Sequence, residues 1–395
     1  MKVLKEGLCA PKGFLQAAVA AGIKMSGKLD LGLVFSSQPA VAVGVFTQNK
    51  FRAAPVFVSH KQIKSGRAQA IIANAGNANC ATGEQGVKDA WTMVKETAAA
   101  LGIKKSLVLV TSTGVIGKPM PMDKVSKGIK KLKKMIQEKN SGKVAHAIMT
   151  TDKRPKEIAV EIMVSGKPVR ISGCAKGSGM IHPNMATMHA FVLTDAKIDR
   201  RTFNRILKAS VDETFNMVTV DKETSTNDCV LALANGLSNV DVSHSKEFAQ
   251  AFQYVCEYLA KEIARDGEGA NHLVEVEIVR AASIIDARLL GRQLASSFLL
   301  KAAIFGKDPN WGRVIACIGY TDIRLNPKVV KIYLGDILLF NKGVGQDFDK
   351  NKARALLGKK EVKFTIDLGI GKFNARAWGC DLSYDYVKIN AAYHT

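Results

Sequence analysis

The sequence predicts a mixed α/β protein, because strand-like apolar runs alternate with helical stretches along all of its 395 residues. Hydrophobic residues make up 47% and charged residues 23%, as in ordinary globular proteins. At roughly 150 residues per domain, the length suggests two or three domains. No apolar run reaches the roughly 18 residues of a membrane span, and the N-terminus lacks a signal peptide's apolar stretch. We therefore expect a soluble, cytoplasmic protein.

Nine apolar runs are typical of β-strands. They are Val41–Phe46, Ala68–Ala73, Ser106–Thr111, Ile158–Val164, Ala190–Thr194, Met217–Val220, Val230–Ala234, Leu273–Ile278 and Val329–Leu334. The run Leu273–Ile278 alternates apolar residues with glutamates. This alternation predicts a strand that covers a core on one face only.

Four stretches have the periodicity of helices. They are Gln85–Ala100, Asp123–Glu138, Arg200–Thr214 and Lys246–Arg265. In the last of them one apolar stripe contains Phe248, Phe252, Val255, Leu259 and Ile263. Ser245, directly before this stretch, is placed to cap the helix N-terminus.

The chain is strongly basic, with 57 Lys and Arg against 35 Asp and Glu and a net charge of +22. Such a charge favours anionic partners: nucleic acid, an acidic substrate or a phosphate-bearing cofactor. The densest basic patch is residues 124–143, where Val125, Ile129, Leu132 and Ile136 recur at helical spacing. The lysines therefore fall mainly on the solvated face. No aromatic residues interleave them, which argues against a platform for single-stranded nucleic acid.

Nucleotide and metal motifs are missing from the sequence. There is no Rossmann fingerprint, and the nearest approach to a Walker A motif, Gly114 to Lys118, is followed by Pro119 rather than Ser or Thr. His182 and His189 have no third ligand at metal spacing, so we expect no zinc site. The seven cysteines are scattered singly and are expected to be reduced, structural residues.

Six segments are richer in Gly and polar residues than a packed core requires. They span residues 74–86, 111–117, 174–191, 221–228, 265–271 and 306–313. In the third, Gly177, Gly179 and Pro183 constrain the backbone ahead of Thr187, which opens an apolar strand-like run. Attack of the Thr187 hydroxyl on the preceding carbonyl would cut the chain and free an α-amine that can act as its base. The spacing of these residues is also compatible with a threonine that only opens a strand and has no catalytic role.

The strings KGSGMIHPNMATM, TSTGVIG, DGEGA, DPNWGR and WGCDLSYDYVKINAAYHT occur in this order. With them, essentially the whole chain resembles the glutamate N-acetyltransferase/ornithine acetyltransferase family of arginine biosynthesis. The resemblance implies an αββα sandwich similar to N-terminal nucleophile hydrolases but with distinct topology. It also implies self-cleavage between Ala186 and Thr187, giving an α chain of residues 1–186 and a β chain of residues 187–395.

The resemblance assigns roles residue by residue. Thr187 corresponds to the nucleophile, and Thr113 and Gly114 to the oxyanion hole. The substrate-contacting positions correspond to Thr150, Lys176, Thr187, Glu268, Asn390 and Thr395. Thr150 is favoured over its neighbour Thr151. We expect Lys176 to pair with the substrate carboxylate and Glu268 with an amino group.

The expected activity is transfer of acetyl from N2-acetyl-L-ornithine to L-glutamate by a ping-pong mechanism. No resident cofactor is implied, and the motifs leave open whether acetyl-CoA is a further acetyl donor. The family resemblance also implies an α2β2 heterotetramer. Two positions depart from the family: His189 stands where Leu is common, and Lys153 where Thr is usual.

Two other functions are kept as alternatives: an autoprocessed amidase or aminopeptidase of related fold, and a basic nucleic-acid-binding protein. Several residues are given structural interpretations. Glu84 is expected at a helix start and Trp311 in packing, and Asp221 and Asp228 are assigned to a turn rather than to a paired-carboxylate site. The remaining histidines are expected at the surface or at caps: His60, His146, His244 and His272.

Overall fold

The computed structural model describes residues 1–136, 143–182 and 188–392, and these residues form 15 strands in two sheets. The strands are β1 (Lys2–Leu4), β2 (Phe14–Val19), β3 (Leu31–Phe46), β4 (Arg67–Asn77), β5 (Val108–Val115), β6 (Lys156–Val164), β7 (Lys167–Lys176), β8 (His189–Thr194), β9 (Cys229–Ala234), β10 (Leu273–Ala281), β11 (Lys331–Leu334), β12 (Ile337–Asn341), β13 (Val344–Gly345), β14 (Glu361–Asp367) and β15 (Phe373–Cys380).

The same described residues form 11 α-helices. These are α1 (Ala54–Gln62), α2 (Gly83–Leu101), α3 (Met122–Ile136), α4 (Val144–Ala147), α5 (Arg200–Glu213), α6 (Lys246–Arg265), α7 (Ile284–Ala295), α8 (Phe298–Phe305), α9 (Trp311–Tyr320), α10 (Lys350–Leu357) and α11 (Tyr384–Ala392). Among them, none combines the length and apolar character needed to cross a bilayer.

The larger sheet has nine strands and changes partners along β3, which is 16 residues long. Its first half pairs with β2 and β4, its second half pairs with β9, and the register with β4 shifts between Phe35 and Ala40. The shift divides the sheet into a half formed by β2, β4, β5 and the start of β3, and a half formed by β1, β6–β9 and the end of β3.

The two halves pack face to face through one apolar core. Ile71 of β4 and Leu109 of β5 contribute to this core from one half, and Phe191 of β8 and Leu231 of β9 from the other. The alternate residues of the same strands point to the outer faces. Helices α1–α3 cover one outer face and α5 and α6 the other. The order helix, sheet, sheet, helix confirms the predicted αββα sandwich.

The smaller sheet has six strands in the order β13-β12-β11-β14-β10-β15. Its apolar residues join those of α5, α6 and α7 in one continuous core. Strand β10 confirms the predicted one-sided burial: Val274 and Val276 are buried, whereas Glu275 and Glu277 are half-buried and pair with Lys363.

The predicted helices are confirmed with small shifts at their ends. Helix α6 has the predicted bounds, and Ser245 accepts a hydrogen bond from the Phe248 N–H as its N-cap. Helix α3 buries Val125, Ile129, Leu132 and Ile136 and exposes most of its lysines, as expected. It ends at Ile136 within the described residues, and Glu138 lies outside them.

One predicted strand is wrong, and others start or end elsewhere. Met217 ends a 3₁₀ turn, and Val218 forms a single bridge to Trp378, so Met217–Val220 is a buried connection that contributes apolar side chains to the core. Its burial produced the strand-like pattern. Residues 106 and 107 also lie in a 3₁₀ turn, and the strand that follows them continues to Val115. Strand β11 begins only at Lys331.

The cysteines are free thiols in the core, as predicted. Six are buried and Cys9 is half-buried. Burial together with the nearby Glu157 carboxylate raises the pKa of the Cys9 thiol to about 12. Their environments are those of structural rather than reactive cysteines.

Candidate active site

One pocket gathers six of the residues to which the family resemblance gives a role. This central pocket is lined by Thr113, Gly114, Thr150, Lys176, Glu268 and Asn390. They come from the end of β5, the loop after α4, the end of β7, the loop after α6 and helix α11. The other predicted site residues, Ala186, Thr187 and Thr395, lie outside the described residues.

Thr113 and Gly114 reach the pocket through an irregularity between β4 and β5. The register shifts at Gly76 and Asn77, where Gly76 pairs with Gly114. Gly114 has a φ of +132°, and a Cβ there would lie 2.4 Å from the carbonyl carbon of Gly76. Only glycine fits this close approach, so the bulge fixes the backbone beside Thr113.

The Lys176 ammonium lies beside the Thr113 hydroxyl. Its Nζ donates to the Thr113 Oγ1 at 3.4 Å in a buried environment. Because the hydroxyl oxygen accepts this bond, its own hydrogen is free to be donated elsewhere. Thr113 therefore presents a hydroxyl donor at the pocket next to a positive charge.

Charges of both signs face Lys176. Burial lowers the pKa of Lys176, whereas Asp152, Asp228 and Glu268 oppose this shift. The cations Lys156 and Lys24 also lie within electrostatic range. The ammonium thus lies in a site of low polarity surrounded mainly by carboxylates, where its interaction with an anion is strong.

Glu268 is a preorganised acceptor in the same pocket. Its Oε1 accepts from the Thr151 hydroxyl at 2.6 Å, and its Oε2 accepts from the Asn390 amide at 3.0 Å. A Cβ on Gly179 would lie 2.4 Å from the Glu268 carboxyl carbon, so a glycine there allows the two loops to meet. Both threonines of the 150–151 pair line the pocket, but Thr150 bonds to Asp152 instead.

A buried lysine joins three of the pocket-forming segments. The Lys156 Nζ lies 2.6 Å from Asp152 Oδ1 and 2.6 Å from Asp266 Oδ2, and all three side chains are nearly inaccessible to solvent. Asp152 also accepts the backbone N–H groups of Gly177 at 2.8 Å and Thr150 at 2.9 Å. We call Asp152, Lys156 and Asp266 the Lys156 clamp. It ties the Thr150 loop, the end of β7 and the Glu268 loop to one another.

The clamp also controls the charge of Asp152. Burial alone would raise the pKa of this carboxyl, but the ammonium groups of Lys156 and Lys176 outweigh it and hold the pKa well below the usual range. Asp152 is therefore ionised. Lys153, one of the departures from the family, contributes its backbone N–H to Asp266 at 3.1 Å and exposes its side chain. This departure leaves the clamp unchanged.

The backbone on both sides of residues 183–187 is held by hydrogen bonds. Asp221 accepts the N–H groups of Met180 at 2.6 Å and Ile181 at 2.8 Å. His182 accepts at Nε2 from Arg292 at 3.0 Å, so its proton sits on Nδ1 and is donated to Thr219. Burial and the Arg292 charge lower the pKa of His182 to about 4. On the other side, the carbonyl of Met188 accepts the N–H of Cys229 at 3.0 Å.

Among the further residues that line the pocket, two carry titratable side chains that the sequence did not assign to it: Asp228 and His189. Asp228 is 2% exposed, and its Oδ2 has no hydrogen-bond partner within the described part of the chain. Burial raises the pKa of Asp228 well above its usual range, although hydrogen bonds from Ser225 and Met188 and the Lys176 charge oppose this. The turn interpretation fits Asp221, which accepts the N–H of Glu223. Asp228 also accepts a bond from Ser225, three residues earlier, but it lines the pocket as well.

His189 is paired with Lys176 across β7 and β8 and donates from Nε2 to the Asn227 carbonyl at 3.1 Å. Its Nδ1 is buried and has no partner among the described residues. Burial and the Lys176 charge lower the pKa of His189 to about 3. The imidazole is therefore neutral and offers an unused acceptor. The sequence marked both residues without placing them in the pocket: His189 as a departure from the family, and Asp228 as one of a possible pair of carboxylates.

Most of the other structural interpretations hold. Glu84 lies in the first turn of α2, and Trp311 begins α9 and packs on Phe340 at 5.7 Å between ring centroids. The interpretation of His272 as a surface residue is wrong. His272 is buried, and its Nδ1 bonds to the Lys359 carbonyl at 2.6 Å.

A pocket that combines a hydroxyl donor, a glycine backbone, a buried ammonium and a fixed carboxylate in an αββα sandwich has the features of an enzyme acting on a small charged acyl compound. A model of the ArgJ family matches residues 15–395. The chain belongs to the ArgJ family, in agreement with the resemblance found in the sequence, and it is an acyltransferase.

Similar proteins match the chain along its whole length. Proteins named arginine biosynthesis bifunctional protein ArgJ from Symbiobacterium thermophilum and Caldanaerobacter subterraneus subsp. tengcongensis are 48% and 45% identical, each covering 100% of both chains. The crystal structure of arginine biosynthesis bifunctional protein ArgJ from Bacillus halodurans is similar with a TM-score of 0.50 and 44% identity. That match covers 51% of this chain and 98% of the solved chain.

Replacing Lys156 with methionine should lower the free energy of unfolding by about 3–5 kcal/mol, because two buried aspartates then lose their shared cation. Chemical denaturation measures this change. Lys352→Met is the matched control, since Lys352 makes an exposed ion pair with Asp336 at 2.7 Å. Equal, small effects of the two substitutions would contradict a structural role for the clamp.

His189 should make the protein sensitive to acid. Its pKa falls from 6.5 in the unfolded chain to about 3 in the folded protein, so the unfolded state binds the extra proton. Above pH 6.5 this residue has no effect on how the free energy of unfolding depends on pH. As the pH falls from 6.5 toward 3, the free energy of unfolding decreases by about 1.4 kcal/mol per pH unit.

The variants His189→Leu and His189→Gln should both flatten the dependence of unfolding free energy on pH in this range. Leucine removes the unpartnered Nδ1 but also the donor to the Asn227 carbonyl, so its net effect on stability at neutral pH should be small beside the change in slope. Denaturant titrations between pH 4 and 7 measure both effects. An unchanged pH slope in both variants would refute the assignment.

Proposed function

We propose that this protein transfers the acetyl group of N2-acetyl-L-ornithine to L-glutamate in arginine biosynthesis, by way of an acetyl ester on Thr187. The observation that carries the proposal is the convergence of Thr113, Gly114, Lys176 and Glu268 on one pocket. Met188, which follows Thr187 in the chain, lines the same pocket. These groups match the needs of acyl transfer to a hydroxyl nucleophile.

The chemistry uses each group at a defined step. The Thr187 hydroxyl attacks the acetyl carbonyl of acetylornithine while the α-amine of Thr187 takes the hydroxyl proton. The oxyanion accepts hydrogen bonds from the Thr113 hydroxyl and the Gly114 N–H. Collapse of this intermediate breaks the amide C–N bond and releases ornithine. The α-amine of glutamate then attacks the acetyl ester by the same steps in reverse order, which releases N-acetylglutamate and restores the Thr187 hydroxyl.

The charged groups of the pocket recognise the two ends of the amino acid. We assign the α-carboxylate of either substrate to Lys176 and the side-chain ammonium of ornithine to Glu268. Lys176 has donors left after its bond to Thr113, because an ammonium carries three hydrogens. Asn390 and Thr151 fix the Glu268 oxygens for this contact. Thr150 and Thr395 complete the proposed substrate contacts.

We further propose that the chain cleaves itself between Ala186 and Thr187, which exposes the α-amine that the mechanism requires. The hydrogen bonds of Asp221 and Cys229 support this, because they fix the backbone on either side of the bond. A solved chain that corresponds to about half of this one also supports cleavage near the middle.

The products of cleavage, residues 1–186 and 187–395, would share the larger sheet, since β7 and β8 are neighbours in it. We propose that they remain together as an α2β2 heterotetramer in the cytoplasm. Analytical ultracentrifugation after cleavage tests the assembly. Whether acetyl-CoA also donates acetyl to glutamate is tested by supplying it in place of acetylornithine.

The proposal is tested first on a denaturing gel with N-terminal sequencing. Two bands near half of 42.6 kDa, one beginning at Thr187, are expected, and Thr187→Ala should give a single full-length band. Acetylornithine is then supplied with and without glutamate. Release of ornithine only with glutamate supports the transferase. Release of acetate without glutamate would instead indicate an amidase.

The substitution Thr113→Ala should slow acetyl transfer about a hundredfold, corresponding to roughly 3 kcal/mol of lost oxyanion stabilisation. Thr113→Ser keeps the hydroxyl and should retain most of the activity. The turnover of acetylornithine with glutamate measures both. Unchanged turnover in the alanine variant would remove Thr113 from the oxyanion hole.

A further inference from the structure

The proposed amine exchange moves one proton that the groups named above do not supply. At neutral pH ornithine is released and glutamate is bound with the α-nitrogen as an ammonium. The departing nitrogen needs two protons, and the Thr187 hydroxyl provides one of them. The second must come from another group or from water. The entering glutamate ammonium must lose the same proton before its nitrogen can attack.

We propose that Asp228 is a further catalytic residue that stores this proton between the two half-reactions. The proposal rests on the function proposed above. Asp228 lines the central pocket with Thr113 and Lys176, yet none of the assigned roles involves it. Its carboxyl group is the remaining buried acid in the pocket, because the oxygens of Glu268 are already bonded to Thr151 and Asn390.

The backbone around Asp228 is fixed. The preceding Asn227 side chain donates to the carbonyls of Ala78 at 2.6 Å and Ser112 at 2.7 Å. The following residue, Cys229, begins β9. Hydrogen bonds from Ser225 and from the Met188 N–H hold the carboxyl group itself. The other oxygen, Oδ2, is buried and has no partner among the described residues. It is therefore an unused acceptor, which an amine bound beside it would satisfy.

The surroundings favour the protonated form of the Asp228 carboxyl. Burial raises the pKa of Asp228, and the charges and titratable groups that face it are Lys176, His189 and Cys229. Lys176 opposes the shift only in part. His189 is neutral, because its pKa falls to about 3. A buried acid whose neutral form is favoured in this way is suited to donate a proton to a leaving amine.

The steps balance over one cycle. As the amide C–N bond breaks and the ester C–O bond forms, the nitrogen takes the hydroxyl proton through the Thr187 amine and a second proton from Asp228. Ornithine leaves as an ammonium, and Asp228 becomes a carboxylate. The carboxylate then takes a proton from the glutamate ammonium, whose nitrogen attacks the ester. As the new amide C–N bond forms and the ester C–O bond breaks, the second proton of the attacking nitrogen returns through the Thr187 amine to the Thr187 oxygen. Acetylglutamate leaves with Asp228 protonated again.

The test compares two acetyl donors on wild type and Asp228→Asn. Acetylornithine has a leaving group that needs protons, whereas p-nitrophenyl acetate releases a phenolate that needs none. In the variant, acetylation of the cleaved enzyme by acetylornithine should slow by at least about a hundredfold, and acetylation by the aryl ester should stay within about twofold. Mass spectrometry of the β chain follows both reactions.

Asp195→Asn is the matched control. Asp195 is a buried carboxyl with a raised pKa that accepts backbone N–H groups, but it lies at the far end of β8. This variant should acetylate normally with both donors. Equal slowing by both donors in Asp228→Asn, or no slowing, would overturn the inference while leaving the proposed function intact. Failure of wild type to accept acetyl from acetylornithine would refute the proposed function instead.

A second measurement needs no substitution. If Asp228 supplies the proton, wild-type enzyme mixed with acetylornithine in weak buffer should acetylate without taking up protons from solution on the same time scale. A pH indicator in a stopped-flow instrument detects this. Stoichiometric proton uptake synchronous with acetylation would overturn the proposal, even if Asp228→Asn fails to fold or to cleave.

Discussion

The central pocket depends on one buried ammonium shared by two aspartates. The Lys156 clamp ties together the loop of Thr150, the end of β7 with Lys176 and the loop of Glu268, which are far apart in sequence. Burying such charges costs so much desolvation that a buried ion pair is weak support for net stability. What the clamp supplies is position, because each carboxylate oxygen that accepts Lys156 or a backbone N–H fixes the loop on which it lies. The groups that face the substrate are held by others that never contact it.

The second constraint is the sheet that surrounds the predicted cleavage site. Strands β7 and β8 are antiparallel neighbours with six paired residues, and β8 is also paired with β9. A break between them removes one covalent link and leaves the ladder between β7 and β8 and the core contacts of the described residues in place. The energy that holds residues 1–182 against residues 188–392 lies in the shared sheet and in the cores on both of its faces. Self-cleavage can therefore create a new amine without loosening the site that uses it.

The sequence predicts those elements whose pattern is local. Helix α6 is found at its predicted bounds because its apolar stripe and Ser245 cap are both encoded within 21 residues. Strand β7 was missed, since Arg170, Ser172 and Gly173 break its apolar pattern and its burial comes from neighbours distant in sequence. The prediction of a strand at Met217–Val220 failed in the opposite way, because this buried connection has the composition of a strand. The pocket residues, too, could be predicted only where their signal is local. Gly-rich segments mark the loops, but nothing local distinguishes Asp228, which is buried, from Asp221, which anchors a turn.

The balance of charges in the pocket suits the proposed exchange between two amino acids of different charge. Ornithine and glutamate share an α-carboxylate and an α-nitrogen, and their side chains end in opposite charges. A pocket with a surplus of either sign would bind one of them too weakly. Here Lys176 and Glu268 supply one group of each sign, and burial favours the neutral form of Asp228. In the proposed cycle the proton that leaves Asp228 goes to the amine, so the pair gains two opposite charges together and the net charge of the site does not change. In a medium of low polarity, this conservation of net charge keeps the exchange close to balanced in both directions.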